Sequence, residues 1–218
     1  MKDKIILFDM DGTLIDSTDA IYESFLNVFK KHKIPLLPKN KITKFIGYTL
    51  QDMFRFFGVS SDLIEVCCND YKRHYTTIHR AKTTMLPNAA ESIKLASKFA
   101  NLGIVTTKTS HSSRELLQHF EVEKYFSVMI GREDVVHTKP HKEPIINALM
   151  IMESKNIKID KNKSFMIGDT ILDLQAAKNA DIQGIGILCG YGKRADLEQF
   201  SNNIFLDSLK AVKFIQSL

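Results

Sequence analysis

The sequence predicts an α/β fold: a parallel-sheet core with a helical unit inserted after the first strand. Three observations predict it. Five short apolar runs of β-prone residues are spaced along the chain, and helical periodicity separates successive runs from the second onward. Between the first run and the second lie about seventy residues with helical periodicity and no convincing strand. Strands alternating with helices at this spacing imply βαβ units and a parallel sheet.

The first run, Lys-Ile-Ile-Leu-Phe over 4–8, is stopped by Asp9 and reads as a buried strand. Within 17–82, Ile21, Phe25, Val28 and Phe29 share one helix face, and Ile42, Phe45 and Ile46 share another after Pro38. Leu50, Met53, Phe54 and Phe57 form a third face ended by Gly58, and Val66, Cys67, Tyr71, Tyr75 and Ile78 a fourth. Four amphipathic helices can bury their stripes against one another, so 17–82 is expected to be a helical domain and 1–16 with 83–218 an α/β core. In that core, a helix carrying Ile93, Ala96, Phe99 and Ala100 is expected to start at Asn88, with Glu91 three residues on as in a capping box. Strands follow at 102–106, 127–130, 164–167 and 184–188, and helices are marked by Leu116 to Phe120, Ile145 to Met152 and Leu172 to Ala180.

Composition narrows the function. The chain has 218 residues, 44% of them hydrophobic and 25% charged, which is ordinary globular usage. No run approaches the roughly 18–20 apolar residues of a membrane span, and aspartates stand where a signal peptide needs an apolar stretch, so a cytoplasmic location is expected. Cys67, Cys68 and Cys189 show neither a CxxC pair nor a zinc-ligand spacing, and three reduced thiols are expected. The histidines, among them His74, His79, His111 and His141, lack metal-site spacing and are expected on the surface or on helices. The net charge of +5 is confined to 17–82, where eleven Lys and Arg face six Asp and Glu, while the remainder balances. Lys30, Lys31 and Lys33 sit at a helix end where cations complement the dipole, so no nucleic-acid partner is expected. Positive potential drawn toward a pocket mouth, with Lys44 near it, suits a small anionic substrate.

In open α/β sheets ligands bind beyond the carboxyl ends of the strands, so the residues ending each strand are the candidates. They are Asp9-Met10-Asp11-Gly12-Thr13, Thr106-Thr107-Lys108, Lys139-Pro140, and Gly168-Asp169-Thr170 with Asp173 beyond. Several carboxylates in one cleft stay ionised only if a cation neutralises them, and hard oxygen ligands suit Mg²⁺. With Mg²⁺ and Lys139 supplying positive charge and Thr106 a hydrogen bond, the pocket suits a phosphoryl group. An aspartate can attack phosphorus, and a second one two residues on can protonate the leaving oxygen and later activate water. Taken singly, an Asp-x-Asp in a loop is turn chemistry and Asp173 a first-turn helix acid.

At these residues the chain resembles the haloacid dehalogenase superfamily of phosphohydrolases. The resemblance rests on DMDGTLIDS (9–17), LGIVTTK (102–108), TKP (138–140) and IGDTILDLQAAKNA (167–180), in family order and spacing. It implies a Rossmann-like core with a small α-helical cap. Leu86-Pro87 after the cap and Phe45-Ile46-Gly47 within it resemble the phosphoglycolate phosphatase branch. The resemblance implies that Asp9 is the nucleophile, Asp11 the general acid and base, and Lys139 the partner of the nucleophile and the phosphoryl group, while Thr106 holds a phosphoryl oxygen. It implies Mg²⁺ ligation by the Asp9 carboxylate, the Asp11 carbonyl and Asp169, with Asp173 orienting metal-bound water. Gly12 and Thr13 fall at the family's flexible turn. Thr13, Thr107 and Lys108, with Gly47 and Tyr48 from the cap, are expected at the substrate. The family often has Asn where Thr107 stands and a second Pro where Lys142 stands, and Thr-Thr-Lys also resembles inorganic pyrophosphatases of the superfamily. The expected function is therefore Mg²⁺-dependent hydrolysis of a small phosphomonoester such as phosphoglycolate. Pyrophosphate hydrolysis, sugar-phosphate mutase activity and non-catalytic phospho-ligand binding are the alternatives; dehalogenation is disfavoured by Asp11 and the acid cluster. No signal of oligomeric state is read.

Overall fold

The computed structural model describes residues 2–218. Six parallel strands, β1 (Lys4–Phe8), β4 (Ala100–Val105), β5 (Phe126–Ile130), β6 (Ser164–Gly168), β7 (Gln183–Ile187) and β8 (Ile204–Phe205), form one sheet in the order β5-β4-β1-β6-β7-β8. The remaining two, β2 (Ile15–Asp16) and β3 (Thr84–Met85), pair antiparallel. The chain runs to one side of β1 through β4 and to the other through β6, so the strand order reverses at β1 and a crevice opens beyond its carboxyl end.

The central strands β1, β4 and β6 are buried on both faces and alternate between two cores. Ile6, Phe8, Phe165 and Ile167 point into a cluster closed by α5 (Ala89–Ala96), α6 (Ser110–His119) and α10 (Ser208–Ser217). Ile5, Leu7 and Met166 point into a second, closed by α7 (Glu143–Ser154) and α8 (Ile171–Asn179). A short α9 (Arg194–Leu197) precedes β8.

Between β2 and β3 lie α1 (Thr18–Lys31), α2 (Lys39–Thr43), α3 (Leu50–Phe56) and α4 (Ser61–Ile78), with a core of their own. Phe25 is its centre, with ring centroids of Phe54, Phe57, Phe29 and Tyr71 between 4.8 and 5.8 Å away. Asp70 of α4, buried, accepts from Lys31 and His32 at 2.7 Å and from Arg73, tying the end of α1 to α4.

Several details differ from the sequence expectation. Phe99 and Ala100 do not continue α5, because the helix ends at Ala96 and Ala100 already pairs with Lys4 in the sheet. Asn88 is no capping-box residue: its backbone is left-handed (φ 66°), and its side chain donates to Asp207 at 2.9 Å. Val66 faces solvent at 48% exposure, one position off the buried stripe of Cys67 and Tyr71. His79 is buried, its Nδ1 donating to backbone carbonyls at the end of α4 and its Nε2 lying 3.3 Å from Glu115 of α6. No helix among the described residues is long and apolar enough to cross a membrane.

Candidate active site

The crevice beyond β1 is built by turns that the sequence fixes locally. After Phe8 the chain reverses, with the N–H groups of Thr13, Leu14 and Ile15 all donating to the Met10 carbonyl and Gly12 donating to Ile15. Gly12 adopts φ 82°, and a Cβ there would lie 2.3 Å from an Asp169 oxygen, so only glycine fits the turn against that carboxylate. Asp9 leaves β1 with its N–H on the Ile167 carbonyl, which places its side chain beside the end of β6. At that end Thr170 caps α8 and Asp173 reaches back to it, accepting from the Thr170 N–H and hydroxyl at 3.1 and 2.7 Å.

Asp9, Asp169 and Asp173 are all buried, and one carboxylate oxygen of each lies within 4.8 Å of the other two. The Lys139 ammonium, also buried, stands 2.5 Å from Asp173, 3.0 Å from Asp9 and 3.1 Å from the Val105 carbonyl. Burial pulls this ammonium toward neutrality, but the charges of Asp173 and Asp9 outweigh that and hold its pKa above the ordinary value. One lysine does not offset three carboxylates. Burial raises Asp9 to about 6 despite Lys139, and burial, then the charges of Asp173 and Asp9, push Asp169 well above the carboxylate range. A cluster of oxygens that holds protons for want of positive charge fits a hard divalent cation.

Asp11 stands apart from this trio. Its carboxylate pairs with Lys108 at 2.9 Å, and Lys108 also donates to the Tyr75 hydroxyl at 2.8 Å with its ammonium 4.6 Å from the Tyr75 ring centroid. Burial opposes the charge on Lys108, while Asp11 and then Tyr75 hold its pKa up. Thr106 follows β4, buried, and its hydroxyl accepts from the Lys108 N–H at 3.2 Å. Thr13 donates to Asp169 at 3.0 Å. Thr107 donates to the Gly47 carbonyl at 2.9 Å, so the bundle touches the strand-end residues through the turn that also holds Tyr48. A chamber of about 350 Å³ opens from Asp11 outward, lined by Gly47, Tyr48, Thr107 and Lys108 among others.

Two expectations are corrected. Lys44 is exposed and does not line the chamber. Of the eleven basic residues in 17–82 only Lys72 does; Lys31, Lys39, Arg55, Arg73, Arg80 and Lys82 are paired with acids elsewhere. The charge excess therefore lies mainly on the outer surface of the bundle.

A further wall of the site lies outside the strand-end candidates taken from the sequence. Cys189-Gly190-Tyr191-Gly192 follows β7, and the Tyr191 N–H donates to Asp169 at 2.8 Å while its hydroxyl meets Thr18 of α1 at 3.0 Å. A Cβ on Gly192 would lie 1.9 Å from the Asp169 carbonyl oxygen. The signal was available, since these residues occupy the carboxyl end of the last apolar run, the same rule that selected the other candidates.

The model for haloacid dehalogenase-like hydrolases matches residues 6–187. Among curated relatives, pyrophosphatase PpaX of Anoxybacillus flavithermus is 29% identical over 210 residues, covering 96% of this chain and 94% of that protein. Pyrophosphatase PpaX of Bacillus anthracis is 27% identical over 218 residues, covering 100% and 98%. Among solved structures, a haloacid dehalogenase-like family hydrolase of Streptococcus pneumoniae has a TM-score of 0.87 at 26% identity, covering 99% of each chain. A Lactobacillus plantarum structure assigned as a phosphoglycolate phosphatase, at 20% identity with a TM-score of 0.85 over 98% of this chain and 99% of that one, shares the fold. The matched span runs from β1 through β7 and contains all four strand-end motifs, so the chain belongs to the haloacid dehalogenase-like hydrolases.

Proposed function

We propose that this chain is a Mg²⁺-dependent phosphohydrolase that cleaves a small organic phosphomonoester through an aspartyl-phosphate on Asp9. The observation that carries the reading is the charge imbalance in the crevice: three buried carboxylates around one buried ammonium, with a fourth carboxylate, Asp11, at the chamber wall. Asp9, Asp169 and the Asp11 backbone carbonyl would hold the ion, with Asp173 beside it. When bound, the ion supplies the positive charge that lets the carboxylates stay ionised and that a phosphoryl group needs.

The residues then divide the work. Asp9 Oδ attacks phosphorus, forming an O–P bond as the bond to the ester oxygen breaks. Asp11 delivers a proton to the departing alkoxide, and in the second step takes one from the water that displaces phosphate from Asp9. Asp11 is held as an ion pair by Lys108, so the first step requires the anionic phosphoryl oxygens of the substrate to draw Lys108 off the carboxyl before it can carry the proton. Lys139 stays charged beside Asp9 and neutralises the phosphoryl oxygens, and the Thr106 hydroxyl holds one of them. The helical bundle, residues 17–82, acts as the cap over residues 1–16 and 83–218, with Gly47 and Tyr48 at the substrate and the Gly12–Thr13 turn near the joint.

Phosphoglycolate is the substrate the motif resemblance favours. Pyrophosphate is the second reading, favoured by relatives that match nearly the whole chain and carry the name pyrophosphatase. Phosphate release from phosphoglycolate, pyrophosphate, hexose phosphates, nucleotides and p-nitrophenyl phosphate, each with Mg²⁺ and with chelator, tests the reading. Metal-dependent release from at least one ester is expected; no release from any, or equal release in chelator, overturns it.

A further inference from the structure

We infer that the chamber is built for an apolar or aromatic carbon body, so that the substrate is a small phosphomonoester of an apolar alcohol rather than pyrophosphate or a carboxylate-bearing ester. This rests on the phosphatase reading above and specifies the leaving group.

The chamber begins at Asp11, the candidate acid for the leaving oxygen, and extends away from the Asp9, Asp169 and Asp173 trio, none of which lines it. Whatever fills it is therefore attached to the leaving oxygen. Its volume of about 350 Å³ is at the small end of organic-ligand sites, enough for a few carbons or one ring. Its walls from the bundle include Ile21, Ile46, Met53, Tyr71 and Tyr75, all buried and all part of the bundle's hydrophobic core, beside the polar Gln51, Lys72 and Thr76. The Tyr71 and Tyr75 rings lie nearly parallel, 10° apart with centroids at 5.7 Å.

Charge points the same way. A second phosphate or a carboxylate lodged in the chamber needs a cation there. Lys108 is the ammonium on the wall most withdrawn from solvent, and Asp11 already neutralises it at 2.9 Å. Lys72 is exposed, Arg132 is half-buried and donates to the Val135 carbonyl, and the acidic Glu133 also lines the chamber. An apolar body, in contrast, gains by leaving water against aliphatic and aromatic walls and needs no counter-ion there.

The test is kcat/KM for Mg²⁺-loaded protein across ethyl, propyl, butyl and benzyl phosphate, whose leaving groups are unactivated alcohols, with phosphoglycolate and pyrophosphate alongside. Each methylene moved from water into the chamber is expected to raise kcat/KM about four-fold, with benzyl and butyl phosphate ahead of both anionic-bodied substrates. Met53→Thr, which shortens and polarises one wall of the chamber, should flatten the series. Binding of butylphosphonate against ethylphosphonate to the parent protein gives the same comparison without turnover and does not depend on the variant folding. Hydrolysis of ethyl phosphate with a flat series, or preference for pyrophosphate or phosphoglycolate, overturns this inference and leaves the phosphatase reading standing. Hydrolysis of none of the esters overturns both.

Discussion

Replacing Lys139 by Met removes one buried positive charge while keeping most of the side chain's volume. In the parent, the ammonium lies 2.5 Å from Asp173 and 3.0 Å from Asp9, with Asp169 in the same cluster. Deleting one partner of a buried ion pair and leaving the other uncompensated costs about 3–5 kcal/mol. For a chain of this size each kcal/mol moves Tm by about 2–4 °C, so the metal-free variant is expected to melt about 6–20 °C below the parent. The loss should depend on pH. Asp9 and Asp169 already titrate above their unfolded values because of burial, and removing Lys139 raises them further. Groups whose folded pKa is raised bind more protons in the folded state, so the variant should lose stability as pH rises from about 5 to about 8. A ligand that binds only the folded state at 100 times its Kd adds about 2.7 kcal/mol, so Mg²⁺ should recover part of the deficit. Thermal melts by circular dichroism, with chelator and with Mg²⁺ at both pH values, read all of this. A Lys139→Met protein that melts with the parent in chelator at the higher pH would refute the charge argument.

Three further outcomes are expected. Asp70→Asn should cost about 1–2 kcal/mol, the low end for a hydrogen-bonded charge because Lys31 and Arg73 are more than half exposed. Those partners hold the Asp70 pKa below the unfolded value, so its stabilisation is present above about pH 4 and fades as pH falls further; melts of parent and variant should converge there. Gly192→Ala would place a Cβ 1.9 Å from the Asp169 carbonyl oxygen and push away the loop that donates to Asp169, and should raise the Mg²⁺ needed for half-maximal activity about 10–100-fold in a metal titration. Asp11→Asn should slow turnover about 10²–10⁴-fold, read as steady-state phosphate release, because one group serves both proton transfers.

The sheet was legible because its central strands are short, buried on both faces and separated by clear helical patterns, and Phe8, Ile104 and Ile167 show this directly. The four bundle helices were legible from their apolar stripes. What escaped were elements whose stability comes from contacts distant in sequence. The two-residue strand β2 exists only because Thr84 and Met85 return to pair with it, and β8 only because it pairs with β7. At the site, Asp9, Asp169, Asp173 and Lys139 were found by strand ends and motif spacing, and the structure brings them together. The Lys108–Asp11–Tyr75 contact was not foreseen, since it depends on how the bundle leans on the sheet. Net charge misled for a related reason: a count over 17–82 carries no information on which face its lysines occupy, and Asp70, Asp19 and Glu23 absorb several of them.

The central claim is that Asp9 accepts the phosphoryl group, and mass spectrometry of rapidly acid-quenched protein tests it most directly. Asp11→Asn protein mixed with Mg²⁺ and a reactive phosphomonoester should carry one phosphoryl adduct, hydroxylamine-labile as an acyl phosphate is, on the peptide that contains Asp9. The adduct should be absent in chelator and in the Asp9→Asn, Asp11→Asn double variant. Phosphate release by Asp9→Asn at the parent rate, or an adduct on any other residue, would contradict the account.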